Sequence, residues 1–280
     1  MPQLSDFQNR LIGRAQWLMC LSVVGVACSS VAGNFNKAQS RLLEADFNDN
    51  RPIPHSVVAQ STGEEGIVKA MLSCGTDRYA HAVLGDAIEA ACLIVEDESG
   101  SVVQLDLPEH QVFEDLIPRI ADVNSDGQND VVLVRSGSRT GAALTVYSLT
   151  QTGSDKQLTE LAATPAIGTA NRWLAPVGVA DFNNDGVQDV AYVQTPHIGG
   201  ILKVWSIVDG DFIEIAQSRG FSNHSIGDTR VSTAKIKDMN KDGVMDIALP
   251  DQRRQKTVWV TLYPEFAILQ TKAYELSDFD

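Results

Sequence analysis

The 280-residue sequence predicts an all-β fold, a β-propeller of about five four-stranded blades, and three observations predict it. First, an acidic loop motif recurs three times at near-constant spacing, which is typical of propellers and solenoids. Second, short runs of β-branched and aromatic residues surround each loop in the same order. Third, the body of the sequence has no helical apolar period, so an all-β class is favoured over a mixed one.

The repeated motif is D-x-N-x-D-G-x-x-D, and its copies begin at Asp122, Asp181 and Asp238, which are 59 and 57 residues apart. Calcium takes about six to eight oxygen ligands, and alternate positions of a tight loop direct their oxygens at one centre. The glycine at the sixth position permits the sharp turn. The motif therefore predicts three calcium sites. The first, third, fifth and ninth residues of each loop would contribute side-chain oxygens, and the seventh a backbone carbonyl. These ligands are Asp122, Asn124, Asp126, Gln128, Asp130; Asp181, Asn183, Asp185, Val187, Asp189; and Asp238, Asn240, Asp242, Val244, Asp246.

The loops have two alternative interpretations, an EF-hand and turns that bind no metal. An EF-hand needs a glutamate at the twelfth position and a following helix. This sequence has Leu133, Tyr192 and Leu249 there, and strand-like runs follow. The EF-hand is therefore excluded. The other interpretation, three Asp/Asn/Gly turns that end hairpins without a metal, stays open, because turns favour the same residues.

Four strand-like runs accompany each loop, and in the first unit they begin at Ile117, Asp130, Ala143 and Leu158. An earlier, degenerate unit is expected to begin with a strand at 79–86. We also expect the C-terminal strand to join a blade begun by residues 40–72, which would close the ring. Residues 33–280 are accordingly predicted to be one propeller domain, with a divergent part at 33–76 and repeat blades at 77–280.

Residues 1–32 are predicted to be a secretory signal peptide. Arg10 and Arg14 precede an uncharged, largely apolar run at 17–27, and small residues follow. The run is shorter than the ~20 residues of a membrane span, so no span is expected in the mature chain. The location is therefore predicted to be extracytoplasmic, periplasmic or secreted. A buried N-terminal helix and a lipoprotein anchored through Cys28 are the alternatives.

Charge and cysteine content narrow the function further. The net charge of −14 argues against nucleic-acid binding, which depends on cationic side chains.

Removal of residues 1–32 leaves two cysteines, Cys74 and Cys92. In an oxidising compartment they are a candidate disulfide, and two buried thiols are the alternative, because spacing does not reveal pairing geometry.

The loops and the apolar strands after them resemble the FG-GAP and VCBS repeats, a superfamily of calcium-loop β-propellers, over about residues 77–280. The segments at 78–90, 112–122, 164–186, 195–200 and 222–227 are similar to a group of secreted bacterial VCBS repeat proteins. This resemblance implies the fold, export and calcium, and it implies no activity. The chain lacks the loop at 46–54 and 86–89, so no ligands are carried over to those positions.

A functional face is expected opposite the metal loops, where links between blades and between second and third strands emerge together. It would carry Arg, Trp and His side chains of the kind that anchor ligands. The candidates are Arg78, Tyr79, Arg172, Trp173, His197, Asn223 and His224. The alternative is purely structural: Trp173 packs between blades, and the others cap strand ends.

The predicted function is a secreted binding or scaffold module for an unknown glycan, cell-surface component or protein. No catalytic motif occurs in the sequence, so no catalytic residue is assigned. The alternative function is an exported, glycosidase-like hydrolase that uses Asp86, Glu114 or Asp115 on the face opposite the loops.

Overall fold

The computed structural model describes residues 38–61 and 65–279, and within these ranges the chain is all-β. It has eighteen strands there and two short 3₁₀ helices, Phe47–Asp49 and Leu276–Phe279. No helix in these ranges has the length and apolarity that crossing a membrane requires. The predicted signal peptide and Cys28 lie outside the described residues.

The first group of strands is antiparallel, in the order β2-β3-β4-β5-β1. The bounds are β1 Gln39–Leu43, β2 Ala59–Gln60, β3 Ile67–Thr76, β4 Glu89–Asp97 and β5 Val102–Asp106. The apolar runs of β3 and β4 are almost entirely buried. This group therefore contributes a large part of the core.

The second group continues from the first to make a sheet of ten strands. Its bounds are β6 Gln111–Phe113, β7 Arg119–Ala121, β8 Asp130–Gly137, β9 Gly141–Thr152 and β10 Asp155–Ala163. Both β6 and β7 pair with the same edge of β8, and β6 reaches β4 through the Ala90–Phe113 pair. Residues 114–118 connect β6 to β7, and the Glu114 N–H still bonds the Val134 carbonyl of β8 at 3.0 Å.

The third and fourth groups are separate antiparallel sheets of four strands, each paired in chain order. The third comprises β11 Leu174–Ala180, β12 Asp189–Gln194, β13 Ile201–Val208 and β14 Asp211–Arg219. The fourth comprises β15 Lys235–Lys237, β16 Asp246–Pro250, β17 Lys256–Thr261 and β18 Ala267–Ala273. The twelve strands predicted around the three loops are confirmed, since each predicted run overlaps one of β7–β18.

The apolar core explains the sequence pattern of the second strands. One cluster of buried side chains joins the first three groups, and another joins the third and fourth. The strands β8, β12 and β16 are covered on both faces, so their apolar residues are continuous rather than alternating. The run Val131–Val134, at most 1% exposed, is an example.

Two expectations for the N-terminal part are wrong. The predicted strand at 79–86 is a series of turns that links β3 to β4, with positive φ at Ala82 (55°) and Gly85 (105°). The buried strand of this region is β3 instead. In addition, β18 pairs only with β17, and residues 39–43 pair with β5, so the described strands do not close a ring by sharing a blade.

Candidate functional site

The three acidic loops join the first and second strands of the repeated groups, and their hydrogen bonds are the same. In the second loop, the Asp181 carboxylate accepts from the backbone N–H of Asp185 at 3.2 Å and of Gly186 at 2.9 Å. Asp122 and Asp238 accept the equivalent bonds in their own loops. The first aspartate therefore closes each loop into a compact ring.

The third and fifth residues bring further oxygen atoms to the same ring. Asn183 Oδ1 accepts from the Asp185 N–H at 3.1 Å, and its amide donates to Asp185 Oδ2 at 2.8 Å. Asp185 Oδ1 in turn accepts from the Val187 N–H at 2.8 Å. These side chains are held by the backbone of their own loop, which reduces the entropy lost when they bind an ion.

The turn within each loop depends on backbone conformations that few residues adopt. In the second loop, φ is 62° at Asn184 and 89° at Gly186. A Cβ atom on Gly186 would meet nothing within 4 Å. Glycine is therefore required there by its backbone conformation and not by lack of space.

The ninth aspartate of each loop is buried beneath the ring. Asp189 Oδ2 accepts from the Phe182 N–H at 3.0 Å, and Asp246 Oδ2 accepts from the Met239 N–H at 2.8 Å. The Oδ1 atom of Asp246 is buried and has no hydrogen-bond partner among the described residues, whereas Asp130 and Asp189 have the hydroxyls of Ser148 and Ser206 as partners. A buried carboxylate oxygen without a partner is costly, and a hard cation with all-oxygen ligands is a partner that fits this donor set.

The electrostatics of the loops also suit a cation. Burial, reinforced by the neighbouring Asp185 and Asp181 carboxylates, raises the pKa of Asp189 to about 6. The pKa of Asp130 is raised to about 6 by the same causes. The clustered negative charges therefore disfavour their own ionisation when no cation is bound.

A cavity of about 220 Å³ lies at the opposite ends of the strands. The strand β12 shows the direction, because it begins at the second loop with Asp189 and ends just before Thr195. We call this space the histidine–tryptophan cavity. It is lined by His81, Val83, Asn171, Arg172, Trp173, Thr195, His197, Ile198 and Ile226.

An aromatic cluster forms the wall of this cavity. Trp173 is 2% exposed, and the His197 ring stacks parallel to it, with centroids 6.4 Å apart. The His224 ring meets the indole edge-on at 4.7 Å. Desolvation by burial lowers the pKa of His197 to about 4 and also lowers the pKa of His224. Both imidazoles are therefore neutral near pH 7.

Of the three carboxylates predicted for a hydrolase, only Glu114 contacts residues that line the cavity. Glu114 is fully buried and bonds the His81 ring and the Ser136 hydroxyl, and its backbone carbonyl accepts from the Trp173 indole N–H at 2.9 Å. Burial raises the pKa of Glu114. Asp115 is also fully buried and forms an ion pair with Arg119 at 2.8 Å. Asp86 lies 3.6 Å from His55.

The predicted ligand-binding residues divide into two sets. Arg172, Trp173 and His197 line the cavity, and His224 contacts His197. The remaining three make internal hydrogen bonds: Arg78 donates to the carbonyls of Gln111 and Leu107, the Tyr79 hydroxyl accepts from the Asn171 N–H, and the Asn223 amide donates to the carbonyls of Ala175 and Pro176.

Sequence reasoning missed His81, Ile198 and Ile226 as lining residues. His81 lies in the segment that was mistaken for a strand. Ile198 and Ile226 are 62% and 73% exposed, although both are large and apolar. Each comes within two residues of a predicted candidate histidine, which is the one signal that could have pointed to them.

Cys74 on β3 and Cys92 on β4 form a disulfide, with an S–S distance of 2.06 Å and Cα atoms 5.5 Å apart. The Asp106 carboxylate lies within 4.8 Å of both sulfur atoms. Because the sulfurs are bonded to each other, this cluster offers no thiolate for a metal.

Comparison with known proteins gives one family match. The model of the FG-GAP-like repeat matches residues 122–192, from the first aspartate of the first loop to the strand after the second loop. The third loop, at 238–246, repeats the motif beyond the matched segment. No curated protein has a matching sequence.

Proposed function

We propose that this chain, which carries an FG-GAP-like repeat at residues 122–192, is a calcium-stabilised β-propeller that acts as a binding module outside the cytoplasm. The four antiparallel strand groups would be its blades, the first of them with an additional outer strand and the second with β6 as an additional short strand. Similar groups packed side by side through a shared core are the arrangement that a propeller requires.

The observation that carries the calcium proposal is the identical ring of hydrogen bonds in three separate loops. Each ring gathers oxygen atoms of three aspartates and one asparagine, which suits a hard cation. Calcium that binds only the folded chain stabilises it by mass action and neutralises the clustered carboxylates. Its role here is structural.

Calorimetry tests this proposal with the chain after chelator treatment. We expect binding of Ca²⁺ and much weaker binding of Mg²⁺, because Mg²⁺ demands a smaller octahedral site and gives up water reluctantly. An Asp185→Asn variant should bind less calcium, whereas Asp209→Asn, in an exposed turn, should bind as the wild type does. Equal affinity for both ions, or no binding of either, would contradict the proposal.

The binding role is assigned to the histidine–tryptophan cavity. Trp173 and Arg172 are residue types that anchor ligands, and exposed Ile198 and Ile226 add an apolar rim. A volume of about 220 Å³ suits a small group, such as one sugar unit of a glycan or one side chain of a partner protein. The lining has no carboxylate among its residues, which favours a binding module over a glycosidase.

A binding screen against glycans and peptides, run in calcium, tests this assignment. We expect a hit that Arg172→Ala weakens at least tenfold and that Arg139→Ala, an exposed arginine outside the cavity, leaves unchanged. Turnover of a glycan that Glu114→Gln abolishes would instead establish the hydrolase alternative. If neither arginine variant weakens the binding, the ligand binds outside the histidine–tryptophan cavity, and the assignment is wrong.

Export is proposed on the basis of residues 1–32. The Cys74–Cys92 disulfide supports it, because disulfides persist in oxidising compartments. Mass spectrometry of the mature N-terminus decides between the two export routes. We expect the chain to begin near Gly33, whereas a chain beginning with acylated Cys28 would establish a lipoprotein.

A further inference from the structure

We propose that the imidazoles of His197 and His224 form a binding site for a transition-metal ion of the Zn²⁺ or Cu²⁺ class at the wall of the histidine–tryptophan cavity. The site is independent of the acidic loops, which lie at the other ends of the strands. It would hold a metal of a different chemical class, because imidazole nitrogen suits Zn²⁺ and Cu²⁺ whereas oxygen suits Ca²⁺.

The two rings already present nitrogen atoms to each other. His197 Nε2 lies 3.0 Å from His224 Nδ1. Two imidazoles bound tetrahedrally to one Zn²⁺, at about 2.0–2.1 Å each, have their nitrogens about 3.3 Å apart. To bind one ion, the two nitrogens would move apart by a few tenths of an ångström, and both rings would turn so that their lone pairs converge on the metal instead of facing each other.

The hydrogen bonds around His224 prepare it as a ligand. Its Nε2 lies 2.9 Å from the Asp228 carbonyl, which can only accept, so Nε2 carries the proton and the Nδ1 lone pair accepts the hydrogen bond from His197 Nε2. A metal-bound histidine almost always donates its other N–H in this way. His197 now donates through Nε2, and on binding a metal it would carry that proton on Nδ1 instead.

The rings are also held in place by packing. Trp173 stacks against His197 and touches His224 edge-on, and the indole is fixed by its bond to the Glu114 carbonyl. This packing limits the orientations that either ring can adopt, which reduces the entropy lost on binding a metal. The indole next to both rings also supplies a fluorescent reporter.

Two protein ligands leave coordination positions open. In the described ranges, the pair belongs to no preformed cluster of three metal-binding side chains. His197 lines the cavity, and so does His81, whose Nδ1 bonds the Glu114 carboxylate. Three of the five histidines of the chain therefore gather here, and water or an exogenous ligand would complete the coordination.

Copper titration in saturating calcium tests the site on the full chain. We expect one Cu²⁺ per chain, quenched Trp fluorescence, and an electron paramagnetic resonance spectrum with coupling to two imidazole nitrogens. Zn²⁺ should compete with the copper. His197→Ala should weaken binding at least tenfold, whereas His55→Ala, a histidine in an exposed turn, should bind normally.

Two outcomes would overturn the proposal: no bound copper in the wild type, or equal binding by His197→Ala. His224 is 2% exposed, so its replacement by alanine could unfold the chain, and the test relies on His197 and on the wild-type spectrum instead. Where His197→Ala does not reach the wild-type melting temperature in calcium, His197→Gln takes its place. A negative result would not bear on the calcium proposal, because the acidic loops are kept saturated with calcium in every sample and only the histidine pair is tested.

Discussion

The repeated groups and the first group of strands are held together differently. In the repeats, a ring of carboxylates joins the first two strands, as between β11 and β12. The first group lacks this motif, and a disulfide joins β3 to β4 instead. Glu65, in the connection between β2 and β3, contacts the first acidic loop of the second group. The Asn129 amide of that loop donates to the Glu65 carbonyl at 2.7 Å. Hydrogen-bonded acidic loops in the repeated groups thus stand where the first group has a covalent link.

Removal of calcium should have the largest effect. If calcium is present at 100 times the dissociation constant, each site contributes about 2.7 kcal/mol, so three sites contribute roughly 8 kcal/mol. At about 2–4 °C per kcal/mol for a chain of this size, EDTA should lower the melting temperature by about 20 °C. Differential scanning calorimetry measures it, with added Ca²⁺ as the reversal control. An unchanged melting temperature would contradict the proposal that calcium stabilises the repeated groups.

Removal of the disulfide should have a smaller and more local effect. The two cysteines are 18 residues apart, and closing a loop of that size contributes about 3 kcal/mol. We expect the Cys74→Ala/Cys92→Ala variant to lose that much free energy of unfolding by urea denaturation. It should keep the calcium affinity of the wild type. Loss of calcium binding in this variant would show that the first group and the loops are not independent.

The buried carboxylates give a third contrast, because Glu89 in the first group is 1% exposed and its Oε1 has no hydrogen-bond partner among the described residues. Burial, with added repulsion from Glu114, Asp86 and Asp115, raises its pKa from 4.5 to about 9. The folded chain therefore binds more protons than the unfolded chain between these values. The stability of the wild type should fall as the pH rises from about 4.5 to about 9.

Glu89→Gln should remove that pH dependence. At about 1.4 kcal/mol per pH unit, the variant should be more stable than the wild type by up to about 3.5 kcal/mol at pH 7 and equal to it below pH 4. Urea unfolding across the pH range measures this, with the exposed Glu98→Gln as the matched control. The same slope in Glu89→Gln and in the wild type would refute the assignment.

The smallest effect is expected from the turn within a loop. Gly186 has a φ of 89°, and a residue with a Cβ costs about 1–2 kcal/mol in such a conformation. Gly186→Ala should lose that amount in calcium, and Gly186→Asn should lose less, because asparagine tolerates positive φ. An Ala variant as stable as the wild type would show that the loop can adopt another turn.

The same comparison explains what the sequence could predict. The repeat strands and the loop geometry follow from residues close together in the chain, such as Asp181 and Gly186, so a local pattern was enough. The first group depends on distant pairing, as between β1 and β5, and there the segment at 79–86 resembled a strand while β3 was overlooked. Arg78 and Asn223 donate hydrogen bonds to backbone carbonyls that are distant in the sequence. From the sequence alone, such polar residues cannot be distinguished from ligand-binding ones.

The candidate cavity was only partly predictable for the same reason. Arg172, Trp173 and His197 were assigned to one face by the alternation of strand connections, and they do line one space. His81 joins them from a loop more than 90 residues earlier, and no local pattern connects it to Trp173. The contact between His197 and His224 depends on where two separate loops end, which only the folded chain determines.

The most direct test of the account is the number of calcium ions bound per chain, measured by native mass spectrometry after equilibrium dialysis. The account predicts three for the wild type and two for each of the single-loop variants Asp126→Ala, Asp185→Ala and Asp242→Ala. A wild-type chain that folds with no bound calcium, or variants that retain all the ions of the wild type, would contradict it.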